Sequence, residues 1–126
     1  MNIRTKGQAE AQISEAIIKF EKEYMGRGPM ETKTYIIKDM VFARLKGVLT
    51  PAEEQLTKTA EGAELIKKTR VQLLEGARIL LENIILNITA CQVKSLHTDI
   101  STKTGERVII FTLDHNLEDE FTNEQA

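Results

Sequence analysis

Between residues 96 and 114 the chain reads L-H-T-D-I-S-T-K-T-G-E-R-V-I-I-F-T-L-D, a stretch crowded with His97, Asp99, Ser101, Thr102, Lys103, Thr104 and Arg107. An imidazole two residues from a carboxylate on a strand shares its face, which could orient the ring for proton transfer or supply two metal ligands. One histidine and one carboxylate are too few for a metal site, however, and His115 falls at the far end of the following strand. The hydroxyl-rich loop 101–105, closed by Gly105, could cradle an anion through backbone N–H groups. It lacks the glycine spacing and following helix of a phosphate-binding P-loop, and glycine before a returning strand is what a plain hairpin needs. No catalytic residue, cofactor or metal is assigned from this pattern.

Two smaller signals accompany it. Gly26-Arg27-Gly28-Pro29 fixes a sharp path and presents Arg27 at a helix end, where a guanidinium could grip a carboxylate or phosphate. The plain alternative is a helix stop with a solvated arginine. Cys91, the single cysteine, sits beside Ile88, Ala90 and Val93 with no base or cation adjacent in sequence. That environment describes a buried, inert thiol.

These residues need a scaffold. Ile13, Ala16, Ile17, Phe20 and Tyr24 recur at helical spacing over residues 7–25, and Gly26 with Pro29 ends that helix. Two β-rich runs, 32–38 and 40–46, are separated only by the Lys38-Asp39 junction and predict a tight hairpin, with Val41, Ala43 and Leu45 on the core face. T-P-A-E at 50–53 is a capping box with proline at the first helical position. A short helix is expected to about residue 59, a bend at Glu61-Gly62, and then one dominant helix over 63–89. The last hairpin is expected over 92–99 and 106–113, with Val108, Ile109, Ile110 and Phe111 covered on both faces. The fold class is therefore α+β: an antiparallel sheet of two hairpins with helices on one face, ordered α-ββ-αα-ββ.

The second half of the long helix has scarcely any polar side. Leu73, Leu74, Leu80, Leu81, Ile84, Ile85 and Ile88 exceed what one small sheet covers, so self-association as a homodimer is expected there. At 126 residues the chain fits one domain, assigned to 1–117, with an acidic, disordered tail over 118–126. The net charge of -2 argues against a nucleic-acid binder, which concentrates basic charge on one face. No stretch is long enough to span a bilayer and no signal peptide opens the chain, which points to a cytoplasmic protein.

Three separated blocks carry a resemblance: G-R-G-P at 26–29, R-L-K-G-V-L-T-P-A-E at 44–53, and the stretch from His97 to Asp114. Together, over about residues 6–117, they resemble the MpsC-like (YbcI-like) family of small bacterial proteins, long a domain of unknown function. That family is named for a sodium-translocating, membrane-potential-generating system. The system's other components resemble a proton-pumping dehydrogenase subunit and a large protein linked to inorganic-carbon uptake. The resemblance implies a non-enzymatic accessory or regulatory protein that binds subunits of a membrane ion or inorganic-carbon transport complex. It brings no catalytic residues. Arg27, Gly28, Arg44, His97, Asp99, Thr102, Lys103, Gly105 and Arg107 enter as a shared recognition surface, with Ser101 and Thr104 among them. One departure is that family members are more acidic between the equivalents of Gly76 and Ala90, where this chain has Ile79, Asn83 and Leu86. Two other readings stay open on the residues alone. One is a small anion- or metabolite-binding sensor or enzyme built on His97, Asp99 and Lys103; the other is a nucleic-acid module.

Overall fold

The computed structural model describes residues 4–121. Helix α1 (Lys6–Tyr24) opens on a capping box: the Thr5 hydroxyl accepts the Gln8 N–H, and the Gln8 side chain accepts the Thr5 N–H. Ala9, Ile13, Ile17 and Phe20 form its buried stripe. The helix stops at Gly26, whose φ of +91° suits glycine alone.

Strands β1 (Glu31–Ile37) and β2 (Met40–Lys46) form the first hairpin about Lys38 and Asp39. Helix α2 (Pro51–Leu56) begins with the expected reciprocal Thr50–Glu53 cap. Helices α3 (Ala60–Gly76) and α4 (Arg78–Thr89) precede the second hairpin, β3 (Val93–Ser101) with β4 (Glu106–Leu113). The two hairpins join through β2 and β4, so the antiparallel sheet runs β1-β2-β4-β3. Ile36, Val41, Ala43, Leu45, Ile109 and Phe111 from one face of the sheet meet Ile13, Ile17, Leu74, Leu81 and Ile85 of the helices in one core.

The structure corrects four expectations. The dominant helix is two: Ala77, at φ -104° and ψ 9°, breaks it between Gly76 and Arg78. A straight helix over 63–89 would extend about 40 Å, against about 30 Å for the longest strand, so the chain must turn to keep both halves on the sheet. The bend lies at Thr57 to Thr59, where the Thr59 hydroxyl caps α3 by accepting the Gly62 N–H. Gly62 serves instead as a contact point: a Cβ there would sit 1.8 Å from the Leu56 carbonyl oxygen. In β4, Ile109 and Phe111 are buried but Val108 and Ile110 only half so, because helices cover one face of the sheet. Finally, residues 118–121, placed in the tail by sequence, complete a 3-10 turn (Leu117–Phe121) anchored by buried Leu117 and Phe121. The rest of the expected tail, 122–126, lies outside the described residues.

The apolar stretch of α3 and α4 is largely used within the subunit. Leu74, Leu81 and Ile85 are fully buried, and Ile84 and Ile88 pack partly against the core. Those three leucine and isoleucine side chains are thus unavailable to a second copy. What remains outward is a corner of Leu73, Ile79 and Leu80, with Ile79 72% and Leu80 51% exposed.

Candidate functional site

The face of the sheet turned away from the helices carries a strip of apolar side chains. Alternation along each strand sends Tyr35 and Ile37 of β1, Met40 and Phe42 of β2, and Val108 and Ile110 of β4 to this side. Register then aligns them across strands: Tyr35 opposes Phe42, Phe42 opposes Ile110, and Ile110 opposes His97. The Tyr35 and Phe42 rings meet edge-on, with centroids 6.3 Å apart. Charge frames the strip. Arg44 donates to Glu106 at 2.6 Å, Lys46 lies 3.9 Å from Glu31, and the neighbouring row runs Lys33, Arg44, Val108, Asp99.

His97 and Asp99 do share this face, as strand alternation requires, and both are exposed. The His97 ring lies 3.3 Å from the Ser95 hydroxyl, and Asp99 pairs with Lys67 of α3 at 3.5 Å around the β3 edge. A cleft lined by Lys67, Asp99, Ser101, Thr102, Lys103 and Glu106 follows this edge. Its two lysines face two carboxylates, and the Glu106 carboxylate is also engaged by Arg44. Three N–H groups bond within the loop. The Gly105 N–H bonds the Ser101 carbonyl, the Thr104 N–H the Ser101 hydroxyl, and the Glu106 N–H the Thr104 hydroxyl. Gly105, at φ +75°, closes the turn.

Other members of the expected surface lie elsewhere. Arg27 turns inward and donates to the Gly47 and Leu49 carbonyls, each at 3.1 Å, so it fastens the approach to α2. Gly28 lies against the Lys22 side chain. Arg107 is on the helix-covered face and almost wholly buried, donating to the Thr98 hydroxyl and the Arg70 carbonyl. Burial pushes its guanidinium below the usual arginine range. Nearby, burial raises the Glu21 carboxyl despite the opposing Arg107 and Arg70 charges. Neither Glu21 oxygen has a hydrogen-bond partner among the described residues. Arg70 donates twice to Glu53, at 3.0 and 2.6 Å, and once to the Val48 carbonyl. Desolvation acts to raise Glu53, but the Arg70 and Thr50 hydrogen bonds outweigh it and hold the carboxyl below normal.

At the opposite end of the sheet the chain brings together residues far apart in sequence. The Cys91 Sγ lies 3.0 Å from His115 Nε2, and His115 Nδ1 lies 2.7 Å from Asp114 Oδ1. A Glu120 carboxylate oxygen stands 3.7 Å from the same Nε2. Cys91 is fully buried, and burial, reinforced by the Glu120 and Asp114 charges, pushes its thiol up. A thiol so placed is protonated and shielded, the opposite of an activated nucleophile.

A family model described as Na+-translocating membrane potential-generating system (MpsC) matches residues 5–115. The chain belongs to the MpsC family. It is 48% identical over 115 residues to the uncharacterized protein YbcI of Bacillus subtilis (strain 168), covering 91% of this chain and 93% of that protein. It is 23% identical over 111 residues to the uncharacterized protein YrhF of the same organism, covering 86% and 90%. No solved structure matches.

Sequence reasoning about this MpsC-family chain missed three things. Tyr35, Phe42 and Ile110 were visible as strand residues, but their alignment depends on β2 pairing with β4, which no local signal announces. Arg70 carries no mark beyond being the cation on an otherwise apolar helix stripe. Cys91 has no base beside it in sequence, and the approach of His115, 24 residues on, is made by tertiary folding alone.

Proposed function

We propose that this MpsC-family protein is a non-enzymatic accessory subunit that acts by protein–protein binding at a membrane-associated ion-transport system, docking through the open face of its sheet. The observation that carries this reading is the aligned strip Tyr35, Phe42 and Ile110 with Met40, Ile37 and Val108 around it. An antiparallel sheet face meant for water alternates to polar residues. Here it presents an apolar centre within a charged frame, the anatomy of a protein interface. Four strands about 4.8 Å apart and seven residues of about 3.3 Å give a panel of roughly 400 Å² in projection, a large part of the ~800 Å² per partner of a standard interface.

The family name supports the choice of partner. Among the described residues no helix is long and apolar enough to cross a membrane; the part we assign to this chain is docking on the cytoplasmic side. Self-association is assigned to the separate corner of Leu73, Ile79 and Leu80. A photo-crosslinking residue in place of Phe42 tests the reading in cells. Adducts with membrane-embedded transport subunits are expected, abolished by Ile110→Asp and retained in Leu80→Glu. Light scattering should show Leu80→Glu as a monomer. Adducts that form only between copies of this chain, or survive Ile110→Asp, would overturn the assignment.

A further inference from the structure

The geometry points to a divalent transition-metal site of the zinc class, held by Cys91 Sγ, His115 Nε2 and a Glu120 carboxylate oxygen, with Asp114 as a positioning residue. The three ligand atoms already lie within 4.8 Å of one another. Tetrahedral zinc, with bonds of about 2.3 Å to sulfur and about 2.0–2.2 Å to nitrogen and oxygen, needs ligands about 3.4–3.6 Å apart. The observed 3.0 Å between Sγ and Nε2 and 3.7 Å between Nε2 and Glu120 bracket that spacing. The third separation, Sγ to the Glu120 oxygen, is within 4.8 Å and reaches that spacing by rotation of the half-exposed His115 and Glu120 side chains.

The donor chemistry selects the ion. One sulfur, one imidazole and one carboxylate suit zinc-like cations, whereas calcium and magnesium take oxygen donors. Binding displaces the Cys91 proton to solvent, and the resulting thiolate and the carboxylate together neutralise a dication. Asp114 supplies the outer carboxylate that metal-binding histidines need: accepting from Nδ1, it puts the proton there and leaves the Nε2 lone pair facing Cys91. The frame around the site is fixed. Asp114 exchanges backbone and side-chain hydrogen bonds with Gln92, the Thr89 hydroxyl accepts the Cys91 N–H, and buried Leu117 and Phe121 hold the turn carrying Glu120. Beyond hydrogen-bond range at 3.7 Å, Glu120 acts on a thiol–imidazole pair through its charge but has no bonded part in it. As a third ligand it has one, and the solvent side leaves a fourth position for water or a partner's atom.

Titration of the metal-stripped full chain with cobalt(II), a spectroscopic stand-in for zinc, tests this. One ion per chain is expected, with a thiolate-to-cobalt charge-transfer band and the intense visible bands of a tetrahedral ion; zinc should displace it and raise Tm. Cys91→Ser should abolish the charge-transfer band. If that core variant unfolds, His115→Ala and Glu120→Gln, on exposed side chains, decide: each should weaken binding by at least ~10-fold. Asp114→Asn should keep the band but lose about 10–100-fold in affinity. His97→Ala, remote from the cluster, should change nothing. Absence of the charge-transfer band at one equivalent, or undiminished cobalt affinity in His115→Ala, would overturn the site.

Discussion

Replacing Arg70 by methionine should unfasten the junction of α2, α3 and the β2–α2 connection, and the structure sets the size of the effect. The Arg70 side chain is 4% exposed and that of Glu53 21%. Two N–H groups reach the Glu53 carboxylate and a third contact holds the Val48 carbonyl. Removing one partner of a buried, hydrogen-bonded ion pair costs about 3–5 kcal/mol. Glu53 keeps partial access to water, so the lower end, about 3 kcal/mol, applies. At 126 residues, Tm moves by about 3–5 °C per kcal/mol, which gives a loss of about 10–15 °C. Glu53→Gln retains an acceptor for the Thr50 N–H but strands the more buried Arg70 charge, and should cost about 3 kcal/mol as well. The double variant should fall short of additivity by at least ~1 kcal/mol, since the two side chains share one interaction. Acid supplies a second readout. The folded-state carboxyl of Glu53 lies below its ordinary value. Its contribution is therefore complete above the unfolded-state pKa and is lost as pH falls through the folded one. The stability gap between the parent and Glu53→Gln should be flat near neutrality and close in acid. Urea unfolding followed by circular dichroism across pH measures all of this. An Arg70→Met cost under ~0.5 kcal/mol, additive variants, or a gap that persists unchanged in strong acid would refute the reasoning.

Two further outcomes follow from close contacts. Gly62→Ala drives a Cβ onto the Leu56 backbone oxygen, which cannot swing aside; a loss of at least ~2 kcal/mol is expected in thermal melts, and a neutral result would mean that α2 and α3 are not so closely apposed. Arg27→Met removes two hydrogen bonds to carbonyls and should cost about 1–2 kcal/mol while leaving crosslinking at the Phe42 position intact, which separates a structural arginine from a recognition one.

Several features were legible because their cause is local. The Thr50-Pro51-Glu53 start of α2, the glycine stop of α1, the Lys38-Asp39 hairpin and the helical stripe of Ile13, Ile17 and Phe20 each depend on residues within one or two turns. Resemblance over three short blocks was likewise enough to reach the MpsC family. The recognition surface was harder to place. His97, Asp99, Ser101, Thr102 and Lys103 do gather at one sheet edge, since one hairpin carries them. Arg27 and Arg107 do not join them, because a cation's role depends on which carbonyl or carboxylate the fold brings within reach.

The order of letters by itself therefore determined the element types, most of their ends and the α+β class, through periodicity, capping and turn chemistry. Tertiary structure alone decided that α3 and α4 break at Ala77 to stay on a short sheet. It also decided that β2 pairs with β4 to align Tyr35, Phe42 and Ile110, and that Cys91 meets His115 and Glu120. Backbone preferences act over a few residues, whereas contacts across tens of residues exist only once burial of the common core has chosen one packing among many.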